Sequence, residues 1–208
     1  MKQAGLSPDA VVQMSMQLAA YRYFGEAVGT YRYESAQTRR FLHGRTETTR
    51  TLSPHSLAFC QGMTGSRMDA VTSLELLRRA CDSHTVYTRK AVRGMGCDRH
   101  FFGLQNLLKP GDVAPDLFSD PVYLRSKRWL LSTSTLPGTA PGFGQAEAQG
   151  FGVGYDIQKD HVVFTLTAEK EHNSAERFCG EIATALDDIR QLMVAPASTS
   201  LNQSESKL

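Results

Sequence analysis

The sequence predicts an α/β fold in which a mixed sheet is flanked by helices. Three observations lead there. Three long segments repeat their apolar residues at helical spacing, and two runs with aromatic and β-branched residues, Phe151 to Tyr155 and Val162 to Thr167, read as strands. The order along the chain is helix, polar segment, helix, strands, helix, with neither a dinucleotide-type glycine turn nor a P-loop.

Each element has its own reason. Ser7, Pro8 and Asp9 offer a cap, a proline for the first helical position and an early acid. The run Val11 to Phe24 then places Val11, Met14, Leu18 and Tyr21 on one stripe. Residues 30–50 are polar, aromatic and arginine-rich; with so few apolar side chains they are expected to face a cleft or water. A second helix is expected from Met68 to Lys90, with Val71, Leu74, Leu77 and Cys81 as its apolar stripe. His55 follows Pro54 and reads as a solvated turn residue.

Leu104 to Leu108 is a short apolar segment, and 109–124, rich in Pro, Asp and Ser, reads as a loop. Trp129, Leu130 and Leu131 read as a short strand, and the two later runs as hairpin partners across Asp156 to Asp160. The closing helix is marked by Asn173 with Glu176 as a capping box, and by Phe178, Ile182, Leu186 and Ile189 on one side. One domain is therefore expected over residues 1–193, followed by a flexible tail over 194–208 whose composition turns to Pro, Ala, Ser and Thr.

Composition narrows the function classes. The chain has 208 residues, 41 % hydrophobic and 21 % charged, with 23 basic against 21 acidic side chains. A net charge of +2 gives no reason to expect a nucleic-acid or anionic-membrane partner. No apolar run is long enough for a membrane span, and the polar start MKQAGLSPDA does not read as a signal peptide. The 4 cysteines, Cys60, Cys81, Cys97 and Cys179, fit no zinc spacing and read as buried free thiols. Arg39, Arg40, Arg45 and Arg50 cluster, as a solvated face or an anion site. The terminal tripeptide Ser206, Lys207, Leu208 has the form of a peroxisomal address read by an import receptor.

Several polar residues carry possible chemistry. Tyr33, Glu34, Arg39, Arg45, Thr46 and Arg99 include hydroxyls and guanidinium forks suited to holding a carboxylate. Arg45 and Arg99 can equally pair with internal acids such as Glu47 and Asp98. Ser132, Thr133 and Ser134 form a hydroxyl triplet that can donate to a developing oxyanion, or satisfy backbone groups at a strand end. None of the 6 histidines lies in a metalloprotease or nucleophile-elbow motif.

Four segments taken in order resemble the carboxyl-terminal half of the carnitine/choline acyltransferase family. They are SPDAVVQMSMQLAAYRYFG, YESAQTRRFLHGRTETTR, GCDRHFFGL, and LSTSTLP followed by GFGQAEAQGFGVGY. The resemblance implies a coenzyme A-dependent acyltransferase-like fold, here the carboxyl-terminal domain of a two-domain enzyme with its tunnel between domains. It implies reversible acyl transfer between coenzyme A and a carnitine or choline hydroxyl, coenzyme A being a co-substrate and no cofactor permanently bound.

By the same resemblance, Tyr33, Thr46 and Arg99 bind the carnitine carboxylate, Ser132 positions carnitine and Phe143 lies near its trimethylammonium. Ser134 steadies the oxyanion, and Asp9 lies near the pantetheine of coenzyme A. The family's general-base histidine falls before SPDA, so these 208 residues alone are expected to be inactive. The alternative is a non-catalytic carnitine- or coenzyme A-binding or interaction module. Choline members have valine in place of Thr46 and lack the arginine at Arg99, which favours carnitine here. Thr30 to Ala36 carries an extra residue pair, so Tyr31 and Tyr33 both qualify as the carnitine tyrosine. Pro141 and Gly142 stand where acetyl-specific members are bulky, and acyl length is left open.

Overall fold

The structure is a computed structural model that describes residues 1, 4–25, 32–65, 68–138 and 141–202, the last eight as backbone. The chain divides into two compact units. The first comprises Met1–Gly29, Leu52–Thr85 and Glu176–Leu208; the second comprises Thr30–Thr51 and Val86–Ala175.

The first unit is helical. Helix α1 (Pro8–Phe24) starts where the sequence places it: the Ser7 hydroxyl accepts from the Ala10 N–H at 3.4 Å, and Pro8 opens the helix. It ends at Gly25, whose φ of 79° is the left-handed region that glycine tolerates best. Burial is broader than the expected stripe, since every residue from Ala10 to Tyr21 is buried. A helix of small and apolar residues all round fits such a position.

Helix α2 (Pro54–Thr64) corrects the turn expected at His55. Ser53 and Ser56 form a reciprocal capping box and Pro54 is the first helical residue, while His55 stays exposed on the first turn. Phe59 and Cys60 are its buried apolar residues.

Helix α3 (Ala70–Val92) buries Leu77, Ala80, Cys81 and His84 in this unit, whereas Val71 is 74 % exposed and lies off the stripe assigned to it. Burial pushes the Cys81 thiol up to about 12. Cys97 and Cys179 are exposed, so only Cys60 and Cys81 are the buried thiols expected.

Helix α6 (Ala175–Asn202) begins directly after Ser174, one residue inside the cap expected at Asn173. Phe178, Ile182, Ala185 and Ile189 are buried, Ala185 taking the place expected of Leu186. Arg22 pairs with Asp188 at 2.7 Å, and the Tyr23 ring meets Phe178 edge-on. The helix runs past Met193 to Asn202, into the segment expected as tail; alanines 195 and 197 suit a helix. The tripeptide Ser206 to Leu208 lies outside the described residues.

The second unit is built on a five-stranded sheet with strand order β2-β1-β3-β4-β5. The strands are β1 (Arg32–Gln37), β2 (Thr46–Arg50), β3 (Leu131–Thr135), β4 (Phe151–Ile157) and β5 (Val162–Thr167). β1, β3 and β4 run parallel, and β2 and β5 add antiparallel edges. The expected mixed sheet is therefore present, with the β4–β5 hairpin where the sequence puts it.

Two strands come from residues 30–50, where cleft-facing side chains were expected. Their buried positions are polar, including Arg32, Glu34, Glu47, Thr48 and Thr49, so no apolar pattern announces them. β3 begins at Leu131, so Trp129 and Leu130 precede it. Helix α4 (Asp98–Leu107) absorbs the short apolar segment. The segment expected as loop holds a 3₁₀ turn, Asp116–Phe118, and helix α5 (Pro121–Ser126), capped by Asp120. No helix among the described residues is long and apolar enough to cross a membrane.

Candidate functional site

Residues directly opposite one another on paired strands project to the same face of a sheet, and neighbours along a strand to opposite faces. In β1 and β2, Tyr33 is opposite Arg50, Ser35 opposite Thr48, and Gln37 opposite Thr46. Across β3, Tyr33 is opposite Ser132; across β4, Ser132 and Ser134 are opposite Gly152 and Gly154. One face therefore carries Tyr33, Ser35, Thr46, Ser132 and Ser134, four of them expected site residues. The other face carries Glu34, Thr133, Val153 and Tyr155, all buried, with the Tyr155 hydroxyl donating to Glu34.

The hydroxyl triplet divides its tasks. Thr133 donates across to the Tyr33 carbonyl at 3.0 Å, the backbone-satisfying option. Ser134 instead meets another hydroxyl, Ser35, at 3.1 Å on the face that carries Tyr33 and Ser132. Two hydroxyls in mutual contact share one hydrogen bond and retain a further donor; with Ser35 donating, the Ser134 hydroxyl can donate to an added oxygen.

Arg99 is delivered to this face by helix α4. Its N–H donates to the buried Glu47 carboxylate at 3.3 Å, and the Thr48 N–H donates to the same oxygen at 2.6 Å. Next to it, Asp98 grips Arg50 with two bonds, 3.0 Å to Nε and 2.7 Å to Nη2. Burial tends to lower the Arg50 pKa, but the Asp98 carboxylate outweighs it and holds the guanidinium above its ordinary value. Arg50 also covers the Trp129 ring at 4.9 Å, and Trp129 meets Tyr33 at 5.5 Å.

Asp98 and Glu47 are thus both engaged, but neither with the Arg99 side chain. The Arg99 guanidinium reaches back to Thr46, with Nε 3.1 Å from its carbonyl and Nη2 3.3 Å from its hydroxyl. It is exposed and makes no ion pair among the described residues. A cationic fork already seated on a hydroxyl is an arrangement suited to a carboxylate.

Phe143 stands in a segment laid over β4, and glycines make that possible. A Cβ at Gly152 would sit 2.4 Å from the Phe143 carbonyl, and one at Gly154 2.5 Å from the Pro141 carbonyl. The Thr167 hydroxyl donates to the Phe143 carbonyl and fixes the segment from β5. Gly152→Ala forces that carbonyl away; a loss of about 2 kcal/mol in chemical unfolding is expected, with chemical-shift changes centred on 141–144. An unfolding midpoint equal to wild type would contradict the packing.

Asp9 belongs to the first unit, where its carboxylate lies 3.4 Å from Nε2 of the buried His84. Tyr31 lies outside the described residues, while Tyr33 is on the hydroxyl face. Ser35, Glu47 and Trp129 were not among the expected site residues, and Arg50 was expected only as a member of the arginine cluster. The threonine-rich run TETTR was the available signal for β2, obscured by its lack of apolar residues.

Comparison with known proteins gives the family. Residues 1–184 match the Choline/Carnitine o-acyltransferase family model. The chain is 37 % identical over 198 residues to carnitine O-acetyltransferase of Rattus norvegicus, covering 92 % of this chain and 31 % of the relative. It is 36 % identical over 194 residues to the mitochondrial carnitine O-acetyltransferase of Saccharomyces cerevisiae, covering 90 % and 29 %. To choline O-acetyltransferase of Danio rerio it is 36 % identical over 198 residues, covering 92 % and 31 %. This chain belongs to the choline/carnitine O-acyltransferase family, and it spans about a third of the length of these relatives.

Proposed function

We propose that this chain supplies the carnitine-binding sheet face and the oxyanion hydroxyl of an enzyme transferring acyl groups between coenzyme A and carnitine. The observation that carries the reading is the exposed Arg99 guanidinium held on Thr46, at one end of the face bearing Tyr33, Ser132 and Ser134. Overall identity is no guide, because carnitine and choline relatives score alike. The charge is a guide: the Arg99 guanidinium can pair with the carboxylate of carnitine, whereas choline has no carboxylate and gains nothing from it.

In this reading Arg99, Thr46 and Tyr33 hold the carboxylate, Phe143 walls the trimethylammonium, and Ser132 orients the molecule. An aromatic ring is a favourable host for a quaternary ammonium. When the carnitine oxygen attacks the thioester, the Ser134 hydroxyl donates to the carbonyl oxygen as it becomes an oxyanion. In this reading a general base outside these residues takes the proton of the carnitine hydroxyl, the carbon–sulfur bond breaks as the tetrahedral intermediate collapses, and the base returns the proton to the coenzyme A thiolate. Asp9 is assigned to the pantetheine arm of coenzyme A. The tripeptide Ser206 to Leu208 is assigned as a peroxisomal address, and a reporter carrying it that stayed outside peroxisomes would refute this.

Calorimetry on the full 208-residue chain tests the substrate: carnitine should bind and choline should bind more weakly. Equal affinities would remove the argument from Arg99. Incubation with carnitine and acetyl-, octanoyl- or palmitoyl-coenzyme A should give no turnover, and clear turnover would show that the chain holds its own base.

A further inference from the structure

The grip on Arg99 depends on a residue that no part of the substrate needs to touch. Glu47 is 3 % exposed and points its carboxylate at the start of helix α4. There Oε1 accepts the Arg99 N–H, and it also accepts the Thr48 N–H from its own strand. The first N–H groups of a helix have no partner within the helix, and the helix start carries partial positive charge. A buried carboxylate at that point satisfies a donor and complements the dipole together.

The neighbouring glycine fits the same purpose. A Cβ at Gly96 would lie 2.5 Å from Cγ and 2.6 Å from Cδ of Glu47. The turn before α4 is therefore pressed directly onto the carboxylate, at a distance only glycine allows. Thr46, the residue that receives the Arg99 side chain, is the chain neighbour of Glu47. Arg99 is thus held at two neighbouring positions of β2, its backbone N–H on Glu47 and its guanidinium on Thr46.

We infer that Glu47 is a positioning residue that fixes helix α4 so that Arg99 is aimed at a substrate carboxylate. The inference rests on the carnitine reading for its consequence, but not for its geometry. Loss of the Glu47 carboxylate leaves the Arg99 charge in place and frees its direction. Binding of a ligand with a carboxylate suffers, and binding of one without it does not.

The experiment compares wild type, Glu47→Ala, Gly96→Ala and Arg99→Ala as full chains, titrated with carnitine and with choline. Glu47→Ala and Gly96→Ala should each weaken carnitine binding about tenfold and leave choline unchanged. In both, hydrogen exchange at the Arg99 amide should quicken by about tenfold, because its acceptor is gone or displaced. Gly96→Ala keeps the buried charge, so it decides the matter if Glu47→Ala fails to fold. An unchanged carnitine-to-choline ratio in Gly96→Ala, with wild-type exchange at Arg99, overturns the inference while an effect of Arg99→Ala keeps the substrate reading. A wild type without preference for carnitine sinks the substrate reading, and the exchange rates still decide whether Glu47 holds Arg99.

Discussion

Arg99→Ala is expected to weaken carnitine binding about thirtyfold or more and to leave choline binding where it was. The reason is asymmetric. A carboxylate placed beside Thr46 without the guanidinium loses its charge-assisted hydrogen bonding, a loss of about 1.5–3 kcal/mol. Choline presents no group to that end of the face. Because Arg99 is exposed and bonds only to Thr46 through its side chain, the fold should tolerate its removal. Arg99→Lys should fall between, since an ammonium keeps the charge and loses the planar fork. Calorimetric titration checks both, and parallel losses for the two ligands would remove Arg99 from carboxylate recognition.

Arg50→Ala is expected to cost about 3 kcal/mol of folding stability, the low end for breaking a buried pair. Its side chain and that of Asp98 are 26 % and 12 % exposed, so solvent weakens the pair without abolishing it. The change also removes a bond to the Ser126 carbonyl at 3.0 Å and the cover on Trp129. Asp98 is left with no strong partner on the first residue of α4. Urea unfolding of Arg50→Ala, Asp98→Ala and the double variant measures the coupling. The double variant should lose clearly less than the sum of the singles; strict additivity would show that the two residues act apart.

Helices α1, α3 and α6 were legible from local chemistry and period, such as Ser7 with Pro8 and the run from Phe178 to Ile189, whereas α2, α4 and α5 were read as turn, apolar segment and loop. Strands β4 and β5 were legible from β-branched and aromatic runs. β1 and β2 were not, because their buried positions hold Glu34, Glu47, Thr48 and Thr49, which read as surface until their partners are known. Burial of polar groups depends on contacts distant in sequence, such as Tyr155 with Glu34. Val71 shows the converse: an apolar residue at stripe spacing near a helix end that stays in water.

The site divided in the same way. Tyr33, Thr46, Arg99, Ser132, Ser134 and Phe143 were legible as a set only through family resemblance. Register then places four of them on one face, and hydrogen bonds place Arg99 on Thr46. What holds them was hidden. Glu47 and the Arg50–Asp98 pair look like ordinary surface charges in sequence, and only the helix start lying against β2 gives them their roles.

The way residues 141–144 rest on the sheet has a consequence for how substrate range can change. That stretch is seated through main-chain oxygens on side-chain-free positions of β4 and through one threonine hydroxyl. Gly142 is held small by Thr165, 3.1 Å from where its Cβ would be, but at Phe143 the seating contacts are made by the carbonyl and not by the side chain. That side chain can be exchanged like a panel in a fixed frame, without disturbing the strands beneath.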